Sequence, residues 1–186
     1  MARYQAGIRT EARIIDATRE LLAEIGLDGT TLKAICDRAG VRAGSFYNIF
    51  ESKDDAVLRV VKDAIRAVDP HPRQDAPDSL QELVEAYISF VAGQPDVARV
   101  YLKIAISGAT NGSLGKRVER HHHRRVARFA GAIGREYPQL TDADAVARAE
   151  IILATLSGLA FMWMLDPQFD FAGRARQAAS GSLIAG

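Results

Sequence analysis

Residues 30–53 read TTLKAICDRAGVRAGSFYNIFESK, and their spacing decides the fold of the first part of the chain. A helix-turn-helix needs an apolar inner face on both helices, a small residue where they cross and a glycine at the turn. Leu32 and Ile35 supply the first inner face, Cys36 is the small residue, and Gly40 stands at the turn. The second inner face comprises Val41, Phe46 and Ile49. An ordinary helical hairpin fits the same spacing, so both structures stay open.

Outside this segment, helical periodicity recurs along the chain and strand alternation is nowhere convincing, which predicts an all-α fold. The 186 residues, 48% hydrophobic and 25% charged, suit one domain or a small module fused to a second. The net charge of +1 excludes a protein that holds nucleic acid through bulk charge, but permits a local basic surface. A single cysteine and the lack of a spanning run or a signal peptide predict a cytoplasmic protein without a membrane role.

Residues that start or end helices divide the sequence into two predicted units. Gly26 ends an amphipathic helix over Ile8–Ile25, and another helix begins after Ser52, which with Asp55 resembles a capping box. Three prolines in Asp69–Ser79 exclude a regular helix and mark a boundary. We therefore predict a helix-turn-helix domain over 1–52, a connecting helix over 53–68 and a helical domain over 69–186. The helices predicted in the last are Leu80–Ala92, Asp96–Ile106, Leu114–Tyr137, Asp142–Leu165 and about Phe171–Ile184.

An ordered series of residues runs through the first third of the chain: Gly26–Thr31, Ile35, Ala39–Val41, Gly44–Tyr47, Phe50 and Ser52–Asp54. Together they resemble the DNA-binding domain of the TetR family of transcriptional regulators. The resemblance implies a homodimeric repressor whose C-terminal domain binds a small molecule and thereby releases operator DNA with inverted-repeat half-sites. It also implies phosphate contacts by Thr31, Tyr47 and Lys53. Many relatives carry Ser or Thr where Arg42 stands, so the second motif helix lacks an N-cap hydroxyl here.

Given that resemblance, the outward residues near the start of the second motif helix are the candidate DNA contacts: Arg42, Ala43, Gly44, Ser45 and Asn48. Asn48 can pair bidentately with adenine, and Arg42 can bind guanine or a phosphate. Gly44 leaves the helix backbone close to the DNA. Thr31 can cap the first motif helix, and the N–H groups at that terminus can meet a phosphate.

The C-terminal helices supply candidate residues for an effector pocket and a dimer interface. An apolar pocket with a few hydroxyl and indole groups suits a small hydrophobic or aromatic effector. Its candidate lining residues are Tyr87, Phe90, Tyr101, Phe129, Ile133, Met162 and Trp163, any of which can instead be core. The helix Asp142–Leu165 is apolar on more than one face, which predicts a four-helix interface with a second copy. The candidate interface residues are Leu153, Leu156, Ser157 and Ala160.

The basic run His121–Arg128 does not predict a metal site, because adjacent imidazoles on a helix diverge by about 100°. It is either a solvated face or a place where Arg120, His123 or Arg124 receives an anionic ligand group. The sequence contains no catalytic set and no cofactor motif, so we predict neither an enzyme nor a bound cofactor. The alternative to a DNA-binding regulator is a helical small-molecule-binding or protein-interaction module without a DNA role.

Overall fold

A computed structural model describes residues 2–67, 77–108 and 112–180, and these ranges are helical with no strand. The predicted all-α fold is confirmed. The helices of the described ranges are α1 (Ala2–Gly29), α2 (Leu32–Ala39), α3 (Ala43–Tyr47), α4 (Lys53–Ala67), α5 (Leu80–Gly93), α6 (Pro95–Gly108), α7 (Gly112–Glu136), α8 (Asp142–Leu165) and α9 (Phe171–Ala179).

Gly26 interrupts α1, as its position in the sequence predicts. Its backbone has φ 70° and ψ −176°, a conformation that residues with a Cβ rarely adopt. One further helical turn follows as far as Gly29. The hydroxyl of Thr30, which is fully buried, donates a hydrogen bond of 2.6 Å to the Gly26 carbonyl. This bond fixes the direction in which the chain leaves α1 and enters α2.

The core of the N-terminal helices consists of apolar side chains at helical spacing. Ile14 and Leu22 of α1, Ile35 of α2 and Phe46 of α3 are each at most 2% exposed. Val57 and Val60 of α4 are fully buried as well. Burial of such side chains contributes about 1.5–3 kcal/mol each, so this small core is what holds the helices together.

The chain divides into two compact units. The first comprises Met1–Ala64 and Asp96–Lys103, and the second comprises Ile65–Pro95 and Ile104–Gly186. The first unit therefore extends beyond the predicted 1–52 by most of α4 and by the first part of α6. Within it, Lys103 of α6 donates a hydrogen bond to the carboxylate of Asp28 and lowers the pKa of that carboxyl.

Helices α5, α7, α8 and α9 form the core of the second unit, in which Ile133, Ile152 and Leu156 are fully buried. Asp78, which is 9% exposed, ties the start of α5 to α7: its carboxylate pairs with Arg128, and its carbonyl accepts a bond of 2.5 Å from Arg135. Capping boxes start α5 and α8, formed by Ser79 with Glu82 and by Thr141 with Asp144.

The bounds of α8 are those that the sequence predicts, and α9 is described as far as Ala179. Most of the predicted boundary Asp69–Ser79 and the predicted end of the last helix at Ile184 lie outside the described residues. Among the residues that the structure describes, α8 alone is long and apolar enough to cross a membrane by length and composition.

Candidate nucleic-acid interface

The turn between α2 and α3 is built on Gly40, as predicted. Gly40 adopts the left-handed conformation with φ 61° and ψ 42°; its N–H donates to the Asp37 carbonyl, and the Val41 N–H donates to the Cys36 carbonyl at 3.0 Å. These two bonds make a Schellman motif, which ends α2 and reverses the chain. The segment that contains Leu32, Ile35, Cys36 and Gly40 at the predicted spacing thus folds as a helix-turn-helix.

Arg13 of α1 holds this turn from the side. Its guanidinium donates to the Ala39 carbonyl and, at 2.8 Å, to the Gly40 carbonyl, which are acceptors left over at the end of α2. A Cβ at Gly40 would approach the Arg13 Nη2 atom to 2.8 Å, so the guanidinium would have to shift, and the positive φ favours glycine here. Sequence reasoning missed Arg13, because an arginine on the polar face of α1 gives no periodic signal.

Helix α3 is only five residues long and presents most of its side chains to solvent. Its N-cap, Arg42, makes no side-chain capping bond, as predicted from the arginine that stands here in place of Ser or Thr. Phe46 is fully buried and anchors the helix in the core. The exposed residues on and beside α3 are Arg42, Ala43, Gly44, Tyr47 and Asn48, and Ser45 is half-buried.

Two of these residues show how α3 can serve as a reading surface. Tyr47 is 57% exposed, and its ring packs edge-on against Phe46, with the ring centroids 5.8 Å apart. A Cβ built at Gly44 meets no atom of this chain within 4 Å. The space above Gly44 therefore stays open for an outside molecule to approach the helix backbone.

Thr31 and Lys53 lie at the starts of α2 and α4. The Thr31 hydroxyl accepts a bond of 3.1 Å from the Ala34 N–H, so its predicted capping role is confirmed. Lys53 is half-buried, and its Nζ donates to the Leu27 carbonyl at 3.4 Å. The Ser52 hydroxyl caps α4 by accepting from the Asp55 N–H, and the Asp55 carboxylate accepts from the N–H of Glu51.

Several basic side chains of the N-terminal unit belong to internal ion pairs. Arg38 of α2 bridges Glu20 and Glu24 of α1, which lowers the pKa of Glu24, and Arg59 of α4 pairs with Glu11 of α1 at 2.7 Å. These pairs fasten the helices to one another. These arginines therefore do not form a broad basic field on the surface of the unit.

The predicted pocket residues are divided between the two units. Tyr101 belongs to the first unit, and the others belong to the second. Phe90, Phe129 and Ile133 are at most 4% exposed, as core residues are. Met162 is 47% exposed, so it lies on the outer surface of α8 in the single chain, and its place in a pocket stays a prediction.

Tyr87 and Trp163 are brought together through a residue that the sequence analysis did not select. The Phe171 ring at the start of α9 lies 6.3 Å from the Tyr87 ring and 6.0 Å from the Trp163 ring, between centroids. The result is an aromatic row that joins α5, α9 and α8. Phe171 follows Asp170, the N-cap of α9, and that capping position is the signal that could have placed it.

The predicted dimer residues are mostly internal. Leu153, Leu156 and Ala160 are at most 3% exposed within the single chain and Ser157 is partly exposed, and their part in a dimer stays a prediction. The outward face of α8 carries other residues. Its large exposed apolar side chains are Val146, Ile151, Phe161, Met162 and Leu165, 39–65% exposed.

The basic run on α7 has an outer and an inner side. Arg120, His123 and Arg124, the residues predicted to receive an anion, are exposed, whereas His121 and Arg125 are half-buried. The Arg125 guanidinium carbon lies 5.2 Å from the centroid of the Tyr87 ring. Among the described residues no group of three or more His, Cys, Asp or Glu side chains is arranged to hold a metal ion.

Comparison with known proteins gives a family match in the segment that carries this geometry. The family model described as "Bacterial regulatory proteins, tetR family" matches residues 14–60. The HTH-type transcriptional repressor KstR2 of Rhodococcus jostii is 40% identical over 58 residues, which are 31% of this chain and 28% of that protein. The alignment therefore spans less than a third of the length of this curated relative.

Solved structures extend the likeness to almost the whole chain at the level of the fold. FadR of Bacillus subtilis, in complex with stearoyl-CoA, gives a TM-score of 0.72 at 21% identity and covers 94% of this chain and 98% of its own. A TetR transcription regulator of Haloarcula marismortui gives a TM-score of 0.74 at 19% identity, covering 92% and 94%. An N-terminal helix-turn-helix domain followed by a helical C-terminal domain is thus a known architecture.

Proposed function

We propose that this chain, whose residues 14–60 match the family model of tetR bacterial regulatory proteins, is a sequence-specific DNA-binding transcriptional regulator. The observation that carries the proposal is the short helix α3. Phe46 anchors it, Gly40 and Arg13 set its direction, and it turns Gly44, Tyr47 and Asn48 to solvent. A plain hairpin packed in a bundle would bury this face.

The side chains on and around α3 divide into two roles. Tyr47, Lys53 and Thr31 carry hydroxyl or ammonium groups suited to phosphate oxygens, which position a protein on the duplex without reading sequence. Asn48 and Arg42 have the geometry for base edges in the major groove, Asn48 for adenine and Arg42 for guanine. Ala43, Gly44 and Ser45 are small, so the start of α3 can enter the groove closely.

We propose that the functional unit is a homodimer formed through the outward face of α8. The exposed residues Ile151, Phe161 and Leu165 lie on one side of this helix with the small residues Ala154 and Gly158 between them. An apolar stripe of this length is costly to leave in water, and the small residues permit close helix approach. Binding of such a dimer to an inverted repeat would require the two copies of α3 to lie about 34–36 Å apart, one turn of DNA.

We propose further that the protein is a cytoplasmic repressor that a small hydrophobic or aromatic effector releases from its operator. Tyr87, Phe171 and Trp163 supply aromatic surface in the second unit, where such a molecule can bind. Release requires that the effector bind the released dimer more tightly than the operator-bound dimer. Helix α6 is the candidate link, since Asp96–Lys103 belongs to the first unit and the residues from Ile104 onward belong to the second.

Selection from a pool of random duplexes tests the DNA-binding proposal without knowledge of the operator. Full-length protein should enrich an inverted repeat whose half-sites are centred 10–10.5 base pairs, or a multiple of one helical turn, apart. The matched control is Asn48→Ala, which should enrich half-sites that have lost one preferred base pair. Enrichment of no common sequence by the wild-type protein would favour the alternative of a helical binding module without a DNA role.

A further inference from the structure

Helix α7 presents basic groups to the interior of the second unit as well as to solvent. His121 and Arg125 are one helical turn apart and therefore share a face, and both are half-buried. Their neighbours Arg120, His122, His123 and Arg124 are all exposed. The inward pair thus differs from the solvated remainder of this run, and the proposed DNA-binding role leaves it without a function.

Arg125 is held in a defined orientation by an aromatic ring. Its guanidinium stacks over Tyr87 of α5 at 5.2 Å from the ring centroid, and Tyr87 is 7% exposed. A stacked guanidinium keeps its N–H donors in its own plane, in a fork that matches the oxygens of a carboxylate or phosphate. Such preorganisation lowers the entropic cost of binding an oxyanion.

The electrostatic surroundings of His121 favour a negative charge. Burial, together with smaller effects of Arg125, Arg124 and His122, lowers the pKa of His121 to about 4, so the imidazole is neutral at pH 7 beside two arginines. A positive potential in a partly dehydrated place acts more strongly on an anion than the same charges would in water.

Apolar surface adjoins the basic pair. Tyr87, over which Arg125 stacks, begins the aromatic row that continues through Phe171 to Trp163 at centroid separations of 6.3 and 6.0 Å. A molecule with an anionic end and an apolar body would find both of its parts matched here. A purely apolar molecule would match the row alone.

We propose that His121 and Arg125, with Tyr87 behind them, bind the anionic group of an amphiphilic effector, a carboxylate or a phosphate carried on an apolar body. This inference rests on the proposed function, because it names the chemical class of that effector. It moves the anion from the outer residues Arg120, His123 and Arg124, which the sequence suggests, to the inner side of the same helix.

Three probes with the same chain length test the proposal: dodecanoate, dodecyl phosphate and the uncharged methyl dodecanoate, each below its micellar concentration. Binding to full-length protein is measured by calorimetry, and by the ring resonances of His121 and His123. We expect one or both anions to bind at least tenfold more tightly than the ester, with the His121 resonances moving and those of His123 unchanged. The preferred anion distinguishes a carboxylate from a phosphate as the natural group.

Matched substitutions locate the site. His121→Gln and Arg125→Gln should reduce the preference for the anion to about one, while His123→Gln and Arg120→Gln on the outer side should preserve it. Equal binding of anion and ester by the wild-type protein, binding of none of the probes, or loss of the preference in Arg120→Gln alone would overturn the proposal. DNA selection is scored in a separate assay without probe, so its failure would count against the proposed function alone.

Discussion

At the scale of single residues, a substitution at Gly44 should affect the stability of the fold and the affinity for DNA in opposite directions. Because a Cβ at Gly44 meets no atom of this chain within 4 Å, alanine fits the fold and removes the entropic cost of a helical glycine. We expect Gly44→Ala to raise the free energy of unfolding by up to about 1 kcal/mol and to weaken operator binding tenfold or more. Urea unfolding and fluorescence anisotropy measure the two effects.

Gly134 of α7 is the matched control, since a Cβ there also meets no atom within 4 Å. Gly134→Ala should also raise the free energy of unfolding, but it should leave operator affinity unchanged. Full operator affinity in Gly44→Ala would show that DNA does not approach the backbone of α3 closely.

Tyr47 and Asn48 are adjacent in sequence, yet their substitutions should have different consequences. Tyr47→Phe keeps the ring packed on Phe46 and removes only the hydroxyl, so we expect affinity for all duplexes to fall by about tenfold.

Lys53→Ala should lower the slope of log K against log salt concentration by about 1.

Asn48→Ala should instead relax the preference at one base pair, by about 1–3 kcal/mol of discrimination. Anisotropy titrations on the selected site and on its single-base variants measure this. A loss from Asn48→Ala that is equal on every duplex would remove its base-reading role.

At the scale of elements, the Arg13 contact makes the direction of α3 depend on α1. Arg13→Met keeps the length of the side chain but removes its bonds to the Ala39 and Gly40 carbonyls. We expect it to lower the free energy of unfolding by about 1 kcal/mol and to weaken operator binding at temperatures where the variant stays folded. Chemical unfolding and anisotropy, run on the same samples, measure both quantities.

Arg19→Met is the control on the same helix, because Arg19 makes only an exposed ion pair with Asp16. It should leave both quantities nearly unchanged. Equal operator affinities for the Arg13 and Arg19 variants would mean that the turn keeps its direction without the guanidinium.

The elements that sequence reasoning predicts well are those with strong local signals. The N-cap Thr141 and the apolar run that follows it fix the bounds of α8, and Gly40 fixes the turn of the motif. Long-range contacts leave no such signal, so the Arg13 contact and the place of Phe171 between Tyr87 and Trp163 were missed. In α8 the apolar residues surround the helix, and periodicity alone could not separate the buried Leu156 from the exposed Phe161.

At the scale of the whole molecule, Gly158 tests the proposed dimer. It is exposed on α8, and a Cβ there meets no atom of its own chain within 4 Å. Gly158→Glu should therefore fold, but place a charge in the interface and weaken self-association more than tenfold, about 1.4 kcal/mol. Sedimentation velocity at micromolar concentration measures the change.

Gly134→Glu on α7 provides the matched control, with the same substitution at another open helical glycine. It should leave the dimer intact. A wild-type monomer at micromolar concentration, or an unchanged dimer in Gly158→Glu, would contradict an interface on this face of α8.

The central claim, sequence-specific DNA binding through α3, is tested most directly by titrating one dimer preparation with two duplexes. One carries the selected inverted repeat and the other has the same composition in scrambled order, each at several salt concentrations. The account predicts a Kd of about 10⁻⁸–10⁻¹¹ M for the repeat at physiological salt, at least about 10³-fold tighter than for the scrambled duplex. Equal affinity for both duplexes across the salt series would contradict it.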